Sequence, residues 1–413
     1  MAAARCWELI LLLLLLPPLP LRPLLVALAE DSSKPVQIFH VIDNSLWGEV
    51  DGSALQGKFE CRDVSGLCEV ISTDAHLKGK DDIMGNVRAK FQRYALPEAI
   101  TVGLYNIHTW GPKSSWPHYP DVCALPTLLT IAESEESTVR FRKLFSASFS
   151  GFDGNSTTHP TATVQRSYIG TGIFNSSFFI PLRPFAKMIP GAAYVASTCH
   201  RGRSAPKREE VVTALQPLYR VDSLGKCHKS TPAKPDAVKL KMGRNALETL
   251  RLKQEAISQY LFYLAFENNI EAGYVTEKVF DALIAGTVPV YLGATDDCRK
   301  MLPHPKAAIF LDDFGTGDDS VIKLSTYLNM LTLNSTAYEE HRAWRRIFDP
   351  ATQISPLIAT PWPCRICDWA RKKESEARGK PVSSMGGTPV RACVRPTAHG
   401  PESNPVGARH SPR

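Results

Sequence analysis

An apolar, aromatic run, Tyr260 to Ala265 (YLFYLA), breaks into a polar loop and then into a segment of helical spacing, Val279 to Ala285 (VFDALIA). A run this short reads as a buried parallel strand, and Thr276 is placed to cap the helix that follows. The thirteen residues from Phe266 to Lys278 (FENNIEAGYVTEK) therefore cross from a strand end to a helix start. Open parallel sheets hold ligands at such crossings, where unpaired N–H groups and the positive end of the helix dipole attract anions. Glu277 and Lys278 fall in that first helical turn. A surface loop with scattered charges is the plainer alternative.

The same alternation runs through the chain from Ala192. Strands are expected at Ala192–Ala196, Tyr219–Asp222, Val288–Leu292 and Ala307–Leu311, with helices at Lys207–Leu218 and Asn245–Ser258 and a helical stretch from about Ser320 to Phe348. Strand and helix at these spacings imply a parallel sheet covered on both faces. Upstream, Val36–Ile42 reads as a first buried strand, and apolar runs at Ala99–Leu104 and Leu125–Ala132 stand among polar loops. No internal repeat is present.

At 413 residues, with 44% apolar and 22% charged residues, the chain has material for two or three domains and is not disordered as a whole. A formal charge of +7 suits an anionic ligand or simply a soluble surface, and no basic cluster forms a nucleic-acid module. Arg5, the apolar run Leu9–Leu16 and Ala27-Leu28-Ala29 form a secretory leader, either cleaved or kept as a proline-broken anchor. Oxidising conditions then apply to the ten cysteines, so several disulfides and an odd thiol are expected. Cys364-Arg-Ile-Cys367 reads as a local disulfide ahead of a redox or zinc motif, since nothing completes a tetrahedral set. Asn155, Asn175 and Asn334 open glycosylation sequons, expected on surface loops.

FYLAFEN (Phe262–Asn268) followed by YVTEK (Tyr274–Lys278), AGTVPVYLGA (Ala285–Ala294) and AIFLDDF (Ala308–Phe314) resemble the family 10 fucosyltransferases. Ser197-Thr198-Cys199, VDSLGKCHK (Val221–Lys229) and Cys364-x-x-Cys367 extend the likeness over Ala192–Trp369, in the family's order. The AGTVPV, GKC and CRIC forms are most similar to the plant and invertebrate branch acting on the N-glycan core. Two departures stand out: Thr198 and Asn269 occupy positions where the family usually has Asn and Ser. The N-terminal half matches loosely, at Ile131–Ser134, Arg166–Tyr168 and Phe178–Pro181.

The resemblance implies a GT-B-type α/β fold, two Rossmann-like domains facing across a cleft. The domains are a leader at 1–30, an acceptor lobe at 31–185, a GDP-fucose lobe at 186–370 and a basic, disordered tail at 371–413. It implies transfer of L-fucose from GDP-fucose to a glycan hydroxyl in α1,3 linkage with inversion, on the N-glycan core GlcNAc, in the Golgi lumen. Lewis-type antennae, protein hydroxyls, or a secreted binding protein without catalysis are the alternatives. No nucleic acid is a partner. No Asp-x-Asp triplet exists to chelate a metal, so none is required, with Mn²⁺ or Mg²⁺ a stimulant at most.

Motif by motif, Lys278 and Arg208 match residues that meet the diphosphate, and Glu277 one that faces the charge developing on the sugar. Asn268 and Tyr274 match pocket-lining positions, Glu267 orients the loop, and Val195 and Ser197 lie near the base or ribose. Glu133, in TIAES, matches the general base, with Glu135 and Glu136 one short step away. Read without the family, Arg208 is a solvated helix residue, Glu277 a helix-capping carboxylate and Tyr274 a packing residue. Cys199 and Cys227, at the ends of successive strands, are expected to pair.

Overall fold

The computed structural model describes residues 34–41, 57–59, 61, 67–72, 83–106, 129–137, 152–170, 179–197, 199, 206–228, 243 and 246–378. The leader, Asn175, Thr198 and the chain beyond 378 lie outside the described residues. Two separate sheets divide the rest. The first contains β1 (Val36–Val41), β2 (Gly57–Phe59), β3 (Cys68–Ser72), β4 (Ile100–Asn106), β5 (Leu129–Glu133) and β6 (Gly154–Ser156) in the order β2-β3-β1-β4-β5-β6. All its pairings are parallel except that of the edge strand β2. Helix α1 (Ile83–Tyr94) carries the chain from β3 to β4, on the other side of β1.

The second sheet is wholly parallel and alternates with helices: β7 (Ile189–Tyr194), α2 (Pro206–Leu215), β8 (Val221–Ser223), α3 (Ala246–Ile257), β9 (Tyr260–Phe266), α4 (Glu277–Ala285), β10 (Val288–Leu292), α5 (Thr295–Met301) and β11 (Ile309–Phe310). Its order, β11-β10-β9-β7-β8, places the reversal of winding between β7 and β9. β9 and β10 are buried at every residue, as strands covered on both faces must be. Alternation divides β9: Phe262, Leu264 and Phe266 join the core beneath α2 and α6 (Asp318–Leu333), while Tyr263 and Ala265 join the one beneath α4. The molecule is α/β with two Rossmann-like lobes.

Some expected boundaries move. The helical stretch expected to Phe348 is α6, then α7 (Ser335–Glu340), then a short 3-10 turn at Ala343–Arg346. Asn334, with extended backbone, ends α6 and caps α7 by accepting from Ala337 N at 3.0 Å. Its sequon is exposed. Asn155 is not on a loop: it is the middle residue of β6, and its Oδ1 accepts from Thr163 N at 2.9 Å.

The largest correction concerns the last helix, α8 (Trp362–Arg378), which leaves the second lobe and packs across β1, β3 and β4 of the first. The C-terminal lobe therefore ends before the boundary expected at 370, and the chain stays helical to Arg378, where a disordered tail was expected from 371. Trp362, Ile366, Cys367 and Ala370 join Val36, Ile38, Val102, Leu104 and Ile131 in one core. Full burial of such apolar side chains contributes roughly 1.5–3 kcal/mol each. Cys364 and Cys367 do not bond to one another: Cys364 pairs with Cys61 and Cys367 with Cys68. A C-x-x-C spacing in a helix turns both thiols to one face, and here that face meets the sheet. Cys199 pairs with Cys227, and Cys298 is a buried thiol whose pKa burial pushes well up. Among the described residues no helix is long and apolar enough to cross a membrane.

Candidate active site

The crevice at the carboxyl ends of β7 and β9 is where a doubly wound sheet offers a ligand site. Immediately after β9, the buried Glu267 carboxylate accepts from Thr276 N at 2.7 Å and Thr276 Oγ1 at 2.6 Å, folding the intervening loop back on itself. Thr276 is the N-cap by backbone position, with its hydroxyl given to Glu267 instead of the helix. Gly273 makes the turn possible: it has φ 74°, and a Cβ there would sit 1.9 Å from Thr158 O of the first lobe.

Lys278 Nζ donates to Thr276 Oγ1 at 2.8 Å and Glu267 at 3.2 Å, and lies 3.4 Å from Glu277 Oε1. Burial opposes the ammonium charge, but Glu267 and Glu277 outweigh it, and the Lys278 pKa stands above the ordinary lysine value. Burial raises Glu267 more than Lys278 lowers it. For Glu277 the balance is reversed: burial pushes it up, and Lys278 and Lys253 bring it below the usual carboxylate value. Lys253 of α3 is itself paired with the buried Asp281 of α4. Glu277 Oε2 is buried in the crevice without a hydrogen-bond partner.

Across the crevice, Arg208 in α2 donates from Nη1 to Asn268 Oδ1 at 2.5 Å and from Nε to Glu209 Oε1 at 3.1 Å. Tyr194 OH reaches the same Glu209 oxygen at 3.0 Å, and His228 Nε2 holds the other. Arg208 is thus buried, contrary to its plain reading as a solvated residue. Val195 and Ser197 follow β7, half-buried and exposed, and the Cys199–Cys227 bond closes this end of the lobe.

Tyr274 points away from the helix tip into the seam between lobes, where its OH donates to Glu136 Oε2 at 3.3 Å. Ser137 Oγ donates to Glu271 Oε2 at 2.5 Å in the same seam. Tyr168 packs edge-on to Tyr274, ring centroids 6.1 Å apart. Its phenol is raised by burial first, then by Glu277, Tyr274, Glu136 and Glu135, so acidic groups of both lobes converge on this ring.

Glu133 stands at the end of β5, but its side chain is only 1% exposed. His40 Nε2 lies 2.5 Å from Oε1, and Arg166 Nη1 donates to Oε2 at 2.7 Å. In this geometry both Glu133 carboxylate oxygens are taken by these two side chains. Arg166 also holds Glu135, and Glu136 is the member of the segment that reaches the seam. Sequence reasoning missed His40 and Trp362, which come from opposite ends of the chain and carry no local pattern.

A cavity of about 560 Å³ opens farther along the sheet, lined by the 270–272 loop, residues 293–297, Arg299, Asp312 and Asp313. Its carboxylates, opposed by one arginine, would repel a diphosphate, so the crevice at β7 and β9 is the better anion site. Among the described residues no group of three or more His, Cys, Asp or Glu is placed to hold a metal ion.

Residues 187–385 match the model of glycosyltransferase family 10 (fucosyltransferase), C-terminal part. An alpha-(1,4)-fucosyltransferase of Arabidopsis thaliana is 28% identical over 228 residues, covering 54% of each chain. A 4-galactosyl-N-acetylglucosaminide 3-alpha-L-fucosyltransferase of Gorilla gorilla gorilla is 32% identical over 172 residues, covering 41% of each. The chain spans about half the length of the curated relatives it matches. A solved α1,3-fucosyltransferase with GDP-fucose superposes with a TM-score of 0.42 at 17% identity, over 83% of this chain and 90% of that one. The likeness to glycosyltransferase family 10, the fucosyltransferases, is thus carried by the C-terminal part of the chain, residues 187–385.

Proposed function

We propose that this chain transfers L-fucose from GDP-fucose to a glycan hydroxyl in α1,3 linkage with inversion, in the Golgi lumen, with the core GlcNAc of N-glycans as acceptor. The observation that carries the reading is the Arg208–Asn268 contact across the β7–β9 crevice, beside the first turn of α4. Arg208, Lys278 and the helix end gather positive character where a departing diphosphate accumulates charge. Glu277 offers Oε2 to the sugar, and its depressed pKa keeps it negative while the anomeric carbon becomes cationic. A β-linked donor displaced once yields an α-fucoside.

The acceptor proton goes to a carboxylate of the 133–136 segment. Glu136 is already at the seam, whereas Glu133 serves only if Arg166 or His40 yields a side. The core acceptor is favoured by the AGTVPV, GKC and CRIC forms of the motifs. Positive side chains do the work a metal does elsewhere, so transfer persists in excess chelator; its loss there sinks that part of the reading. Radiolabel transfer from GDP-fucose to core, lactosamine and folded-protein acceptors tests the rest, and labelling of lactosamine alone overturns the core assignment. The closed state of Glu133 favours one second reading, a nucleotide-sugar-binding chain without catalysis. Calorimetric binding of GDP with no transfer to any acceptor selects it.

A further inference from the structure

Trp362 opens α8, and its indole touches both groups that hold Glu133. The Arg166 guanidinium stacks over the ring with Cζ 4.0 Å from its centroid, and the His40 ring meets it edge-on at 6.0 Å. The ring cannot turn freely, because Nε1 donates to Ser156 Oγ at 2.8 Å, and Ser156 Oγ donates on to Val164 O at 2.8 Å. Arg166 N donates to Thr157 O at 2.8 Å, so the indole and the backbone bearing Arg166 are both tied to the end of β6. The helix is fastened in turn by the Cys364–Cys61 and Cys367–Cys68 bonds.

A guanidinium stripped of water needs a partner on each exposed side. Arg166 has carboxylates at both amino groups, its Nε is buried without a hydrogen-bond partner, and the indole covers the face of the group. Without that face Arg166 has room to swing, and the His40 ring loses its edge contact as well. Both holders of Glu133 therefore depend on one side chain supplied from the far end of the chain. We infer that Trp362 is a positioning residue: held by the α8 disulfides, it sets through Arg166 and His40 the placement of Glu133 and Glu135 in the segment whose Glu136 reaches the lobe seam.

The placement is read directly by carbodiimide amidation of carboxylates in the intact chain, followed by peptide mass mapping. Wild-type Glu133 should resist labelling. Trp362→Leu should label Glu133 and Glu135 while Glu267 and Glu209 in the second lobe stay protected. Trp362→Phe, which keeps a ring face, should restore protection. Ser156→Ala, which releases the indole without emptying the core, should label Glu133 to a smaller extent. Protection of Glu133 in both Trp362→Leu and Ser156→Ala overturns the inference, as does labelling of Glu267 in step with Glu133. The kinetic arm rests on the fucosyl-transfer reading: Trp362→Leu should lower kcat on the order of 100-fold with the GDP-fucose KM unchanged. Absence of transfer by the wild type defeats that reading alone, since the labelling pattern still decides this one.

Discussion

In the C-terminal lobe Glu267 reaches Thr276 and Lys278, nine and eleven residues ahead; in the N-terminal lobe Glu133 is held by His40, 93 residues away, and Arg166, 33 away. Both carboxylates stand at the ends of parallel strands, and each is buried against one permanent cation, Lys278 or Arg166. The first belongs to one strand–loop–helix unit whose parts cannot drift far from each other. The second exists only once distant strands and the returning helix have assembled. Function at the first site should therefore fail by loss of a charge, and at the second by loss of a scaffold.

The largest expected effect tests the local unit. Lys278→Ala should reduce kcat/KM for GDP-fucose by roughly a hundred- to a thousandfold, measured by radiolabel transfer, because charge gathering on the diphosphate loses its nearest ammonium. A change below tenfold would show that Arg208 and the helix end suffice.

The long-range unit is tested next, with Glu133→Gln and Glu136→Gln compared side by side. Glu136→Gln should lower kcat by about 10²–10⁴ with stability unchanged. Glu133→Gln should cost roughly 3–5 kcal/mol in urea unfolding, since Arg166 loses a buried counter-charge. The reverse pattern would make Glu133 the direct base and show that the cluster opens when substrate binds.

Replacing Cys364 and Cys367 by Ser should destabilise the chain by about 2–5 kcal/mol. GDP affinity, measured by calorimetry, should persist, because the second lobe keeps its own Cys199–Cys227 bond. Weakened GDP binding would mean that the two regions are coupled through α8.

The smallest effect concerns pH. The Glu277 pKa is depressed on folding, so its ionised form adds stability above the unfolded carboxylate value of about 4.3, and that contribution is lost as pH falls through the lower folded value. Urea melts of wild type and Glu277→Gln should therefore converge as pH is taken from 7 towards 3. Parallel curves across that range would remove the lysine pairing as the cause.

Much of the second lobe was legible because its signals are local. The strand expected at Tyr260–Ala265 is β9 with one residue added, and the helix expected from Glu277 begins there. Contiguous apolar strands and a helix start leave marks within a dozen residues. The first lobe was less so: β2 is a three-residue antiparallel edge strand, and the CRIC spacing reported the face of a helix without naming what that face meets.

By itself the sequence determined the alternating strands and helices of the second lobe and the charged turn at Glu277 and Lys278. Each follows from hydrophobic period, capping and neighbours on one stretch of backbone. Only the tertiary structure decided that α8 crosses back to the first lobe, that Cys61 and Cys68 are the partners of its cysteines, and that Glu133 is enclosed by His40, Arg166 and the Trp362 ring. Those contacts join residues dozens to hundreds apart, and nothing in the local physics of any one of them selects its partner.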